Sequence, residues 1–160
     1  NYEVPMGTPF AKVLELAGGM RGGAIKAVIP GGSSAPVVPG AIMMDTDMDY
    51  DSISKAGSML GSGAIIVMND TRCMVKSLLR LSYFYYEESC GQCTPCRNGT
   101  EKAVKLMRQP TWDSALLSDL AQVMADASIC GLGQAAPNPL RCVIEFFPHE
   151  IGLRSPKAAP

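Results

Sequence analysis

Histidine is almost missing from this sequence, and so are an excess of either charge and any long apolar run. His149 is the only histidine, so no imidazole base can be paired with a second one, and no metal site can draw on several imidazoles. A single ring beside Pro148, after the last expected helix, reads as inert surface. Basic and acidic residues number 14 and 15, and neither sign forms a block, which excludes the electrostatic footprint of a nucleic-acid or anionic-membrane binder. The longest wholly apolar stretch is 64–68, against the roughly 20 residues that span a bilayer. No basic-then-apolar segment opens the chain, which reads as soluble, not secreted and without a direct membrane span.

Two familiar ligand motifs are missing as well. "DTDMDYDS" (45–52) spaces its aspartates like the start of a calcium loop, but Tyr50 stands where the loop needs glycine and Ala56 where it needs glutamate. The stretch reads as a solvated turn. "GSMLGSGAIIV" is rich in glycine but precedes its strand, whereas a dinucleotide fingerprint follows a strand and opens a helix. There is no phosphate loop, no internal repeat and no low-complexity linker.

What is present is enough apolar residue, 47% of 160, for one ordinary domain or two small ones. Residues 1–69 are rich in glycine and proline, with one helix capped at Thr8 and carrying Phe10, Val13, Leu14 and Ala17 on one face. Strands are expected at 24–30 and 64–68. This is a small α+β unit. From Asp70 the pattern becomes helical. Asp70 caps a helix over about 71–88 with the stripe Met74, Val75, Leu78, Leu79, Ser82, Tyr85 and Tyr86. Thr94-Pro95 starts a second with Ala103, Val104 and Met107 inward. A third runs from Asp113 through Leu116, Leu117, Leu120, Val123, Met124 and Ala127. Asn138-Pro139 starts a fourth, with Leu140, Val143, Ile144 and Phe147 on one face. Four amphipathic helices imply a bundle over 70–150, leaving 151–160 as a tail. The chain opens at Asn1 in what reads as the middle of a strand, so a piece of a longer polypeptide is expected.

Cysteine carries the chemistry. "ESCGQCTPCRNG" (87–98) sets Cys90, Cys93 and Cys96 at equal intervals, each gap the length of one tight turn. Six cysteines could form three disulfides, but a chain with a sufficient core needs none, and three neighbours are badly placed to staple distant segments. Four-cysteine zinc sites usually draw on two separated pairs, so three thiols in seven residues favour a [4Fe-4S] cluster over structural zinc. Four positions after Cys96 stands Thr100, so the last corner must come from Cys73, Cys130 or Cys142. Cys130 in "SICGLG" is favoured because Gly131 and Gly133 allow close backbone approach and offer N–H donors. Cys73 and Cys142 lie within helices and read as small buried hydrophobes. Cys96 falls in the first turn of its helix, where the dipole favours thiolate. Arg97 adds positive charge, and Gly91 lies in the turn between two of the thiols.

The segments "ESCGQCTPCRNGT" and "ASICGLG", preceded by "AGGMRGGAIKAVIPGGSSAPVV" and "MDYDSISKAGSMLGSGAIIVM", resemble the C-terminal part of the NADH-binding flavoprotein subunit of bacterial respiratory complex I. The resemblance spans nearly the whole chain, and related subunits occur in NAD-reducing hydrogenases and NAD-dependent formate dehydrogenases. It implies a soluble-ligand-binding β-grasp module up to residue 69 and an iron-sulfur helical bundle after it. It implies that Cys90, Cys93, Cys96 and Cys130 ligate the cluster; Gly91, Arg97 and Gly131 are the residues expected around it from their places beside those cysteines. By the same resemblance, FMN reduced by NADH feeds single electrons to this cluster, the first of a chain toward quinone. FMN and NADH would be bound by a flavin domain of the same subunit with no counterpart in this sequence. The expected partners are that domain and the iron-sulfur subunits of the complex I peripheral arm, on the cytoplasmic side of the inner membrane. A scaffold module with structural zinc is the rival.

Overall fold

The computed structural model describes residues 1–151, and the expected tail lies, beyond Ile151, outside the described residues. Two compact units divide at residue 72, Asn1–Arg72 and a second beginning with Cys73.

The first unit mixes short strands and helices. After a turn at residues 6–7 come β1 (Thr8–Pro9) and α1 (Phe10–Leu16), then β2 (Ile25–Ile29), β3 (Val38–Pro39), α2 (Gly40–Met44), β4 (Asp47–Met48), α3 (Tyr50–Lys55) and β5 (Ile66–Asn69). β2 is the centre of an antiparallel sheet ordered β3-β2-β5, and a bulge between Ile25 and Ala27 shifts its register on β5. Val28 faces Val38 on one side and Val67 on the other. Val28 and Val38 join Phe10, Met43, Met48 and Ile53 in one buried cluster. Each such side chain contributes about 1.5–3 kcal/mol when fully withdrawn from water.

Several local expectations change here. Residues 1–5 form no regular element, so the chain does not open within a strand. Thr8 lies in β1 and its hydroxyl donates to the Pro5 carbonyl, leaving Pro9 at the start of α1. The aspartate-rich segment supplies β4, and Asp49 then caps α3 by accepting the Ser52 backbone N–H at 2.7 Å. That bond holds the Asp49 carboxyl below the usual range. The glycine-rich stretch serves close packing: a Cβ on Gly61 would sit 2.3 Å from the Gly31 carbonyl oxygen, and Gly61 has φ +49°.

The second unit is helical: α4 (Met74–Glu87), α5 (Thr94–Met107), α6 (Ser114–Ala127), α7 (Gly131–Ala135), α8 (Asn138–Phe146) and a 3₁₀ turn at Pro148–Glu150. Leu79, Val104, Met107, Leu117, Ala121 and Leu140 form its core, and Tyr85, Met124 and Ala136 a second cluster. Gly99 on α5 lets α6 come close, since a Cβ there would lie 2.5 Å from Met124 Cγ. Asp113 caps α6 by accepting the Leu116 N–H at 3.0 Å. α6 buries a narrower stripe than its sequence suggests: Leu117, Ala121 and Met124 face inward, whereas Leu116 and Val123 are about half exposed. Asp70 does not cap α4. It accepts the Ala24 N–H, and the first N–H of α4, from Met74, goes to Glu150 Oε2 at 2.6 Å. No helix among the described residues is long and apolar enough to cross a membrane.

Candidate metal centre

The second unit presents five of its six cysteines at helix starts and in the loop between α4 and α5. α4 ends at Glu87, and Ser89–Cys93 must reverse the chain before Thr94-Pro95 opens α5. Gly91 makes that reversal with φ +75°, a conformation that costs other residues steric strain. The Arg97 guanidinium donates through Nη1 to the Gly91 carbonyl at 2.8 Å, and the Gly91 N–H points at Ser89 Oγ, 3.3 Å away. Arg97 thus fixes the loop that carries Cys90.

Cys93 occupies the N-cap position of α5 and Cys130 that of α7. At such positions the first-turn N–H groups have no helical partner and face the cap side chain. No cap hydrogen bond closes, yet the N–H of Ile129, followed by that of Cys96, holds the Cys93 thiol below its ordinary pKa. Cys96 lies inside the first turn of α5 and is 5% exposed. Burial pushes its thiol up, the Ser89 hydroxyl opposes this, and the charges of Cys93, Cys130 and Cys90 push it up further. Desolvation therefore outweighs the helix-end field expected to favour thiolate at this residue.

Cys90, Cys93 and Cys130 act on Cys96, whereas Cys73 is at the start of α4 and Cys142 is buried within α8. No disulfide joins any of the six. Among the described residues no three cysteine, histidine, aspartate or glutamate side chains converge as ligands of a single metal ion. The fit of a metal group is therefore judged on the surroundings of the thiols.

Those surroundings fit an anionic, sulfur-rich group. The donors are thiols, which suit iron-sulfur clusters. Gly133 supplies a cradle: a Cβ there would lie 2.5 Å from Ser128 Cβ and Oγ and 3.0 Å from Cys96 Cβ. A Cβ on Gly131 would meet nothing within 4 Å, so close approach is a property of Gly133. Ser128 is buried, and its hydroxyl oxygen closes no hydrogen bond within the protein. Sequence reasoning passes over Ser89 and Ser128. The signal that could have found them is position: each stands within two residues of a cysteine of the group, in "ESC" and "SIC".

Residues 76–154 match the family profile of the NADH-ubiquinone oxidoreductase-F iron-sulfur binding region. Across 96% of its length the chain is 43% identical to the F subunit of NADH-quinone oxidoreductase from Rickettsia bellii, and it spans 39% of that protein. It is 44% identical over 96% of its length to an F subunit of NADH-quinone oxidoreductase from Rhizobium meliloti, spanning 38% of it. The crystal structure of an NAD+-reducing [NiFe]-hydrogenase in the H2-reduced state shares the fold over 95% of this chain and 26% of that one, with a TM-score of 0.82 and 27% identity.

Proposed function

From the premise that residues 76–154 belong to the NADH-ubiquinone oxidoreductase-F iron-sulfur binding region family, we propose that this chain is a one-electron relay holding a [4Fe-4S] cluster on Cys90, Cys93, Cys96 and Cys130. The observation that carries the reading is the equal spacing of Cys90, Cys93 and Cys96 within the matched iron-sulfur binding region, with Cys93 and Cys130 both at helix starts. When bound, such a cluster takes up and releases one electron with little rearrangement.

The chain's own residues supply the setting. Cys93 and Cys130 offer thiols from two helix N-termini, where anions are favoured. Cys96 offers a buried one that water reaches poorly. Arg97 pins the Cys90 loop through Gly91. The Ile129 and Cys96 N–H groups offset negative charge on the Cys93 sulfur.

The chain covers about 39% of the length of the curated relatives it matches, and the whole subunit's activity enters as part of the proposal. The electron donor is FMN reduced by NADH, both held by the flavin domain of the same subunit, and the electron passes toward quinone through iron-sulfur subunits of the peripheral arm. In this reading α4, α5, α6 and α8 form a four-helix bundle over 70–150, and residues 1–69 a β-grasp-like module. The likeness to the hydrogenase supports the same relay in a different complex. The higher identity to the quinone-linked subunits favours the first assignment.

The test is anaerobic purification followed by assay of iron, zinc and acid-labile sulfide, and electron paramagnetic resonance after reduction. About four irons and four sulfides with a reduced-cubane signal are expected. One zinc and no sulfide would move the chain to the scaffold class.

A further inference from the structure

Two serine hydroxyls flank the cysteine group, and neither is a ligand in the proposed relay. Ser89 Oγ lies 3.3 Å from Cys96 Sγ, a separation at which either atom could donate. Ionisation of the thiol settles the direction. The Gly91 N–H donates to the same Ser89 oxygen at 3.3 Å, which engages one of its two lone pairs and leaves its proton free to donate. A thiolate has no proton to give, so once Cys96 is ionised or metal-bound the bond runs only from oxygen to sulfur.

Ser128 presents the complementary case. Its side chain is buried at 5% exposure and its Oγ closes no hydrogen bond within the protein. It is packed against Gly133, which itself abuts Cys96. Its carbonyl is occupied by Gln134 Nε2 at 3.1 Å, and its N–H by the Met124 carbonyl at 3.2 Å. Only the hydroxyl is unspent, and a buried hydroxyl without a partner is costly enough to require one.

We propose that Ser89 and Ser128 are positioning residues of the metal centre, Ser89 sending its hydroxyl proton to the Cys96 sulfur and Ser128 holding its unspent buried hydroxyl beside Gly133 and Cys96 for the sulfur of a bound group. The inference rests on the cluster reading and deepens it. Hydrogen bonds to ligand sulfur withdraw electron density and favour the more negative, reduced state, so the pair raises the reduction potential. The two roles differ in what else the serine does. Ser128 satisfies nothing in the protein through its hydroxyl, so its loss should spare the fold. Ser89 also accepts the Gly91 N–H, so its loss should slacken the loop slightly.

The experiment uses the full 160-residue chain, purified anaerobically and reconstituted with ferrous iron and sulfide. Ser89→Ala and Ser128→Ala are compared with the unchanged chain, and Ser89→Thr serves as the variant that keeps a hydroxyl. Ser118→Ala is the control, since the Ser118 hydroxyl donates to the Ser114 carbonyl on exposed α6. Iron and sulfide content is measured first, then the midpoint potential by resonance-monitored titration, and thermal unfolding of the metal-free proteins alongside. The expected result is full iron in every variant and more negative midpoints for Ser89→Ala and Ser128→Ala. Ser118→Ala should be unmoved, Ser89→Thr restored toward the unchanged value, and the melting temperature of Ser128→Ala not lowered. Complete clusters with unchanged midpoints overturn the serine inference and leave the cluster reading standing. Loss of iron in Ser128→Ala, in place of a shift, overturns the tuning role for that residue. Absence of iron and sulfide from the unchanged chain sinks the cluster reading itself.

Discussion

The Glu150 carboxylate accepts the backbone N–H of Met74 at 2.6 Å, joining the 3₁₀ turn after α8 to the first turn of α4 across 76 positions of sequence. Both groups are buried. Helix N-termini leave their first N–H groups unsatisfied, and a residue immediately before the helix usually serves them. Here Cys73 holds the N-cap position without capping, and the carboxylate arrives from the far end of the unit, adding charge attraction to the helix dipole.

Glu150→Ala should therefore destabilise the second unit by about 1–3 kcal/mol, the cost of stranding a buried donor. Thermal unfolding followed by circular dichroism checks this, with an expected drop of several degrees. Glu150→Gln, which keeps an acceptor oxygen, should recover part of the loss. A melting temperature unchanged by Glu150→Ala would show that the contact contributes nothing.

The two glycines after Cys130 should respond differently to the same change. Gly133→Ala drives a methyl to 2.5 Å from Ser128 Cβ and 3.0 Å from Cys96 Cβ, overpacking that costs about 1–3 kcal/mol. It should lower both thermal stability and iron uptake. Gly131→Ala meets nothing within 4 Å and should leave both intact, since alanine also favours helix over glycine. Equal effects of the two changes would contradict the cradle.

Much of the helical half was legible because its periodicity and caps are local. Asp113 and Asn138-Pro139 mark real helix starts, and most core positions of α4 and α5 follow from their spacing, although Tyr86, expected on the inward stripe, is 44% exposed. On α6 the apolar pattern is wider than the buried face, because Leu116 and Val123 are apolar but lie on its outer side. Periodicity reports which faces are apolar, and burial depends on which neighbours arrive. The partner of the α4 terminus escapes local pattern for a related reason: it is Glu150, 76 positions away, and no window along the chain contains both. Three cysteines of the candidate site stand out by spacing. The approach of Cys130 depends on how α6 returns the chain, and Ser89 and Ser128 carry no chemistry until that return brings them beside sulfur.

In the metal-free protein the thiols should titrate in a definite order. Cys93 is lowered, chiefly by the Ile129 N–H, and Cys96 is raised, chiefly by burial. A lowered acid gives more thiolate at a given pH, and thiolate is the nucleophile. Alkylation by limiting iodoacetamide, mapped by peptide mass spectrometry as pH rises, should thus label Cys93 before Cys96. The stability linkage has opposite signs. The Cys93 contribution is present above the unfolded thiol pKa and lost as pH falls through its depressed folded value. The Cys96 contribution is present below the unfolded pKa and lost as pH rises through its raised one. Labelling of Cys96 first would reverse the electrostatic order at the α5 terminus.

Removing single thiols separates ligands from packing. Cys130 is exposed and at the start of α7, so Cys130→Ala deletes no core contact, and any loss it causes is chemical. Under the proposed ligation it should abolish the cluster or convert it to a form with fewer irons, while the metal-free protein melts as before. Cys142 is 4% exposed in α8, beside Val143 of the core. Cys142→Ala should lower stability by about 1 kcal/mol through lost packing and leave iron content full, and Cys73→Ala should also keep it. Iron and sulfide assays on the three variants decide the fourth corner. Full clusters in Cys130→Ala together with loss in Cys73→Ala or Cys142→Ala would transfer the role to that residue.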